Sequence, residues 1–116
     1  MNSSFPEIHQ FEARFDDAIS KHREYGHIYS DSKALSWKLQ EMRKSILAKI
    51  ACGFTGSEAS KERQALASKE YIEYLGGVSQ AIAQEQKDKV DYDNIDKEYE
   101  KIRSLCSIEK KAMNIL

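Results

Sequence analysis

The chain has 116 residues, of which 32% are charged and 41% hydrophobic, and its formal net charge is -1. This composition argues against a disordered chain, and one Pro and five Gly are too few for the many turns of an all-β fold. A net charge so close to zero gives no overall field that attracts nucleic acid, and no apolar run approaches the roughly 20 residues of a membrane span.

The first predicted element is a long amphipathic helix over about residues 5–52. Ser4 and Glu7 have the spacing of a capping box, and Pro6 is tolerated in the first turn. Apolar residues then follow at alternating three- and four-residue steps, the period of one helix face. The phase of this stripe shifts at residues 30–32, where small polar side chains weaken a helix. We expect one helix with a kink or phase slip there; a break into two helices is the alternative.

A turn over residues 53–57 is the clearest interruption in the chain. Gly53 is a natural left-handed end for the first helix. Thr55 and Glu58 have the spacing of a second capping box, so a new helix can begin at once. Ser68 is a further candidate cap, which allows a short helix or a bend before the main one.

The second long helix is predicted over about residues 58–113, with its own apolar stripe at helical spacing. Gly76 and Gly77 interrupt its pattern at a cost of roughly 1–2 kcal/mol relative to alanine. We expect the two glycines to face Ala34 and Trp37 and to make room for the indole. A kink, or a loop between two shorter helices, is the alternative.

Two long helices joined by a short connection predict an all-α, single-domain antiparallel hairpin. A turn centred near Thr55 would place Phe15 opposite Ile95 and His22 opposite Asp88. It would also place Phe11 opposite Tyr99. The predicted hairpin core consists of Phe11, Phe15, Leu39, Ile46, Tyr71, Leu75, Val78, Tyr92, Ile95, Tyr99 and Ile102.

A two-helix hairpin covers each helix on one side only, and the second helix extends past the start of the first. Four apolar residues of this extension then lack a partner within the chain: Ile108, Met113, Ile115 and Leu116. We therefore expect a homo-oligomer, with a dimer that forms a four-helix bundle favoured, or a complex with another protein. Fraying of the last turn is the alternative for the C-terminus.

Candidate chemistry is sparse. A pair of His22 with Asp88 would be either a metal or proton-transfer site or a polar layer that fixes the helix register, and the polar layer is favoured. Cys52 and Cys106 are predicted too far apart for a disulfide. We therefore predict no catalytic residue, no metal site, no cofactor and no small-molecule substrate.

Two basic clusters make nucleic acid a competing partner. Arg43 and Lys44 lie near the predicted turn, and Arg103, Lys110 and Lys111 lie near the other end of the second helix. Either cluster could contact phosphates, although neither has the pattern of a known DNA-reading helix.

Three segments carry a resemblance to known proteins: residues 66–77 (LASKEYIEYLGG), residues 89–92 (KVDY) and residues 103–110 (RSLCSIEK). Together they resemble a group of small phage and prophage proteins in which an ALAS-EY-EYL-G stretch leads into a long helix that ends in an RS…S…R/K pattern. The resemblance covers roughly residues 60–112. It implies an accessory protein of phage DNA recombination or replication, located in the cytoplasm of the bacterial host.

The function that we predict is that of a non-enzymatic helical scaffold or accessory protein in the cytoplasm. A nucleic-acid-binding module that uses the basic clusters is one alternative. A secretion-type helical hairpin is another, although the segment around Trp37 lacks the glycine turn which that class needs. The N-terminus lacks the basic and apolar segments of a signal peptide.

Overall fold

The computed structural model describes the backbone of residues 6–115 and the side chains of residue 10 and residues 12–114. In this range the chain forms four helices and no strand, which confirms the predicted all-α fold. The helices are α1 (Pro6–Glu41), α2 (Arg43–Ala51), α3 (Glu58–Leu66) and α4 (Lys69–Ile115). The predicted roles of the side chains of Ser4, Glu7, Phe11, Ile115 and Leu116 lie outside the described part.

The predicted first helix is interrupted at Met42. α1 continues without a break through residues 30–32, so the alternative of two helices separated there is wrong. Backbone hydrogen bonds still cross the interruption, from Met42 N to Lys38 O (3.1 Å) and from Ile46 N to Met42 O (2.9 Å). The hydroxyl of Tyr74 donates to Leu39 O close by, and a side chain that bonds to the helix backbone is a common cause of such breaks.

The connection between α2 and α3 contains the glycine that requires a left-handed backbone, but this glycine is Gly56 and not Gly53. α2 ends in a tightened turn, in which Gly53 N donates to Ile50 O (3.1 Å) and Phe54 N donates to Ala51 O (3.0 Å). Gly56 has a φ of 118° and is the only described residue with a positive φ. The tightened turn satisfies the last carbonyls of α2, so the left-handed residue lies three positions after the predicted Gly53, within the predicted connection.

α3 is capped by Ser57, because its Oγ accepts a hydrogen bond from Ser60 N at 3.2 Å. The prediction of Thr55 as the cap is therefore wrong. The unusual backbone at Gly56 separates Thr55 from the free N–H groups of the helix. The carbonyl of Thr55 instead accepts a hydrogen bond from Gln64 Nε2 at 3.1 Å.

Ser68 caps α4, as the sequence allowed. Its Oγ accepts from Tyr71 N (3.2 Å) and donates to Ala65 O (2.6 Å), so one hydroxyl joins the end of α3 to the start of α4. α3 is the short helix that was allowed before the main one. α4 then continues unbroken through Gly76 and Gly77, so the alternative of a loop there is wrong.

The chain forms two compact units to which both α1 and α4 contribute. In the terminal unit (residues 1–29 and 88–116), the rings of Phe15 and Tyr99 stack and Tyr29 contacts Tyr92. In the central unit (residues 30–87), Leu39 O accepts from the hydroxyl of Tyr74. In the terminal unit, higher residue numbers on α1 meet lower ones on α4, so the helices are antiparallel.

The register between α1 and α4 differs from the prediction. Phe15 stacks on Tyr99, one helical turn beyond the predicted Ile95. The predicted register assumed an unbroken second helix that starts at the turn. α3 and its junction at residues 67–68 intervene, so the facing residues on α4 lie closer to the C-terminus.

Most of the buried side chains are small. Among the side chains that the structure describes, only Tyr71 is both large and fully buried, at 2% exposure. Small residues allow helix backbones to approach closely, and the half-buried aromatic rings fill the remaining space. The other buried residues in the described part are Ala18, Ser36, Ala65, Ala81 and Asp88.

Candidate functional site

A layer of polar and aromatic side chains joins α1 to α4 in the terminal unit. His22 Nε2 lies 2.8 Å from Asp96 Oδ1 and 3.3 Å from the hydroxyl of Tyr92. The imidazole stacks on the ring of Tyr99, with centroids 4.6 Å apart and planes at 14°. The Tyr92 ring lies against Gly26, where a Cβ would approach it to 3.4 Å. Ring stacking and a directional hydrogen bond together hold the two helices in one register.

The partner of His22 is therefore Asp96 and not the predicted Asp88. Asp96 lies two helical turns further along α4, which is the same direction of shift as for Phe15 and Tyr99. Asp88 is buried and makes an interaction of its own. When Nε2 carries the imidazole proton it donates to the Asp96 carboxylate, and the pair is half exposed to water. Such a pair suits the polar layer of the prediction.

A second cluster joins α4 to the junction of α1 and α2 in the central unit. The hydroxyl of the buried Tyr71 accepts a hydrogen bond from Arg43 Nε at 2.8 Å. The hydroxyl of Tyr74 donates to Leu39 O, and the two tyrosine rings contact each other at 6.0 Å between centroids. Two successive tyrosines on one face of α4 thus bind both sides of the interruption at Met42.

Replacement of Arg43 by alanine is expected to destabilise the fold by about 1–2 kcal/mol, because the buried hydroxyl of Tyr71 loses its donor. Lys44→Ala is the matched control, since Lys44 is exposed and adjacent, and its expected effect is below about 0.5 kcal/mol. Urea unfolding followed by circular dichroism measures both. Equal effects in the two variants would show that the Arg43–Tyr71 hydrogen bond contributes nothing.

Two of the five basic residues predicted to contact nucleic acid have partners within the chain. Arg43 binds Tyr71, and Arg103 Nη1 lies 3.6 Å from Glu100 Oε1. Lys44, Lys110 and Lys111 are exposed. The terminal unit, which contains Arg103, Lys110 and Lys111, has nine Lys and Arg against twelve Asp and Glu, a net charge of -3.

Large apolar residues are exposed along the described part of the chain. Ile108 and Met113, two of the four residues predicted to contact another copy, are among them. The indole of Trp37 is 66% exposed, although it was expected to pack inside the hairpin. The full set is Ile28, Leu35, Trp37, Met42, Leu66, Ile72, Leu75, Val90, Leu105, Ile108 and Met113.

The region of the two glycines differs from the prediction in two respects. A Cβ added at Gly76 or Gly77 would meet no atom within 4 Å, so these glycines make no room for Trp37. Leu75, predicted in the core, is exposed, because Tyr74 takes the position that faces α1. The remaining described members of the predicted core, apart from Tyr71, are half-buried: Phe15, Leu39, Ile46, Val78, Tyr92, Ile95, Tyr99 and Ile102.

Sequence patterns missed three residues of the helix contacts. Ser36, Ala65 and Ala81 are buried, but small or polar residues do not stand out in a search for large apolar side chains. Their spacing carried the signal, since Ser36 lies one turn before Leu39 and Ala81 lies one turn after Val78. A small residue in line with an apolar stripe indicates that two helices approach closely there, just as a large apolar residue in the stripe indicates burial.

In the described residues, no group of three or more His, Cys, Asp or Glu side chains is arranged to hold a metal ion. None of the helices, within the same residues, is both long and apolar enough to cross a membrane. Cys52 and Cys106 are both free thiols.

Comparisons of the chain with protein-family models, with curated proteins and with solved structures found no match. The resemblance of residues 60–112 to small phage proteins therefore stays a prediction.

Proposed function

We propose that the chain is a non-enzymatic helical scaffold that works by associating with other protein chains. The observation that supports this proposal is that exposed large hydrophobic side chains greatly outnumber fully buried ones. Eleven large hydrophobic side chains are exposed in the described part, whereas Tyr71 is the only large one that is fully buried.

Exposed apolar residues are common on soluble proteins when they occur singly. Here they recur along both long helices, and a helix pair covers each helix on one side only. Each such side chain gains roughly 1.5–3 kcal/mol when it is fully buried, so contact with a further helix surface is the main stabilisation still open to this fold. In this proposal, the contacts of His22 in the terminal unit and of Tyr71 in the central unit fix the helices that carry the exposed apolar residues.

Sedimentation velocity over a concentration series tests the proposal. We expect a reversible dimer or higher oligomer in the micromolar range, since a homodimer is the simplest way to cover these residues. A single monomeric species throughout that range would contradict it. The monomer would then be stable with its eleven large hydrophobic side chains exposed to water.

Direct binding of nucleic acid is the competing function, and a gel-shift titration separates it from the scaffold. We expect no shift of single- or double-stranded DNA in roughly 0.15 M salt, because the terminal unit has a net charge of -3 and Arg103 is paired with Glu100. A shift that weakens with salt and is lost on Arg103→Ala with Lys110→Ala would overturn this expectation.

The setting that we propose is phage DNA recombination or replication, with the chain as an accessory protein. This part rests on the resemblance of residues 60–112 alone. The genes that flank its coding sequence test it: phage recombination or replication genes beside it support the setting, and unrelated genes contradict it.

A further inference from the structure

α4 carries a second stripe on the face away from α1. Ile72, Val90 and Ile108 are separated by 18 residues, or five full helical turns, each and therefore have the same phase on this helix. They are 59%, 58% and 61% exposed, while Tyr71, beside Ile72 in sequence, is buried. Between them, at three- and four-residue steps, lie further exposed residues of the same face. We call the whole set the outer seam: Ile72, Gly76, Ser79, Ala83, Gln86, Val90, Asn94, Lys97, Lys101, Ser104 and Ile108.

The outer seam differs in composition from the rest of the surface. None of its residues is acidic, although 19 of the 116 residues of the chain are Asp or Glu. Most of its members are small, amide or apolar. A face of this kind has few charges to desolvate when another helix packs on it.

The outer seam is symmetric about Val90. Ile72 and Ile108 are equally far from it, as are Gln86 and Asn94. An antiparallel copy centred on the same residue would therefore place isoleucine on isoleucine at both ends, valine on valine in the middle, and amide on amide between. The two lysines, Lys97 and Lys101, would lie opposite Ala83 and Ser79, where small residues leave room for their aliphatic stems.

The charges beside the outer seam match in the same arrangement. Lys87 and Asp91 lie on one flank of it, and Lys89 and Asp93 lie on the other. In an antiparallel pair of helices each flank meets the same flank of the partner helix. Lys87 would then lie almost level with the partner copy's aspartate at position 91, and Lys89 with the aspartate at position 93. None of these four side chains forms an ion pair with another residue of the described part.

We propose that the outer seam binds the outer seam of a second copy of this chain, antiparallel and with the two-fold axis at Val90. This inference rests on the proposed scaffold function and names the surface through which it acts. The match of both flanks and of all three large apolar positions favours a second copy over an unrelated partner. A two-fold pair also closes on itself, so the assembly ends at a dimer.

Cysteine cross-linking tests the arrangement, in a background with Cys52→Ser and Cys106→Ala whose helical content is first checked by circular dichroism. Val90→Cys is expected to form a disulfide-linked dimer, because the position meets itself across the axis. Ile72→Cys and Ile108→Cys are each expected to stay unlinked alone and to link to each other when mixed. A parallel pair would instead link Ile72→Cys to itself, which would overturn the proposal.

A charge placed on the axis gives a second test in the native cysteine background. Val90→Lys is expected to raise the dimer Kd about a hundredfold, because two lysines would face each other. Gly77→Lys is the matched control: it adds the same charge to α4 outside the outer seam, in open space, and is expected to leave the Kd within about threefold. Equal effects of the two lysines would contradict the proposal.

Sedimentation of the same samples distinguishes a failure of the outer seam from a failure of the proposed scaffold function. A dimer that forms no disulfide at positions 72, 90 and 108 contradicts the outer seam alone, since the chain then associates through another surface. A monomer contradicts the proposed scaffold function together with the outer seam.

Discussion

Tyr71→Ala is expected to lower the free energy of unfolding by about 3–5 kcal/mol, the largest single-residue effect that the structure predicts. Tyr71 is the only large side chain that is fully buried among the described residues, and its ring contacts Tyr74. Truncation would leave a cavity between α4 and the junction of α1 and α2. It would also remove the acceptor of the Arg43 Nε hydrogen bond. Urea unfolding, followed by circular dichroism and by the fluorescence of Trp37, measures the loss.

Tyr71→Phe is the matched control for that experiment. It keeps the ring and removes only the hydroxyl, so the expected loss is about 1 kcal/mol. Arg43 is exposed and can turn its guanidinium to water, which keeps the cost of the lost bond small. If Tyr71→Ala and Tyr71→Phe cost the same, the ring contributes no packing and the central unit is held together elsewhere.

The fold class follows from local signals that act over a few residues. The three- and four-residue steps of the apolar residues, the near absence of Pro and the cap at Ser68 each depend on neighbours in sequence. These signals predicted long helices, a connection over residues 53–57 and a short helix before the main one. They could not place the interruption at Met42, because the tyrosine hydroxyl that bonds beside it comes from another helix.

The register was not predictable to within a turn. Apolar stripes on two helices match equally well at several offsets, so the pairing depends on the exact geometry of the connection. The left-handed residue is Gly56 rather than Gly53, and the cap is Ser57 rather than Thr55. Together with α3 and its junction at residues 67–68, these differences change the geometry of the connection, and the partner of His22 is Asp96 rather than Asp88.

For α4 the apolar pattern is visible in the sequence, but the sequence does not show which face of the helix each apolar residue occupies. The apolar stripe of α4 predicts Leu75 and the two glycines in the hairpin contact, because Leu75 extends the stripe and the glycines interrupt it. In the structure they are exposed, and Tyr74 occupies the inner face. A helix that carries apolar residues on two faces gives one mixed pattern, and only the position of the partner helix separates the two.

The two glycines of α4 are expected to be a source of added stability. Gly76→Ala and Gly77→Ala should each raise the free energy of unfolding by about 0.8–1 kcal/mol, because alanine favours the helix and its Cβ would meet no atom within 4 Å. The double variant should gain close to 2 kcal/mol, since neither methyl group has a packing contact that couples it to the other. For a domain of this size each kcal/mol corresponds to a rise in Tm of roughly 4 °C.

The difference between the stability changes of Gly76→Ala and Gly77→Ala tests the outer seam more directly than either change alone. Gly76 belongs to the outer seam and Gly77 does not, whereas the gain in helix propensity is the same for both. Measured in the Val90→Lys background, where the dimer is weakened, the two substitutions should stabilise the chain equally. A gain at Gly77 with a loss at Gly76 in that background would show that Gly76 is packed within the monomer. The space around it would then not be open for a second helix.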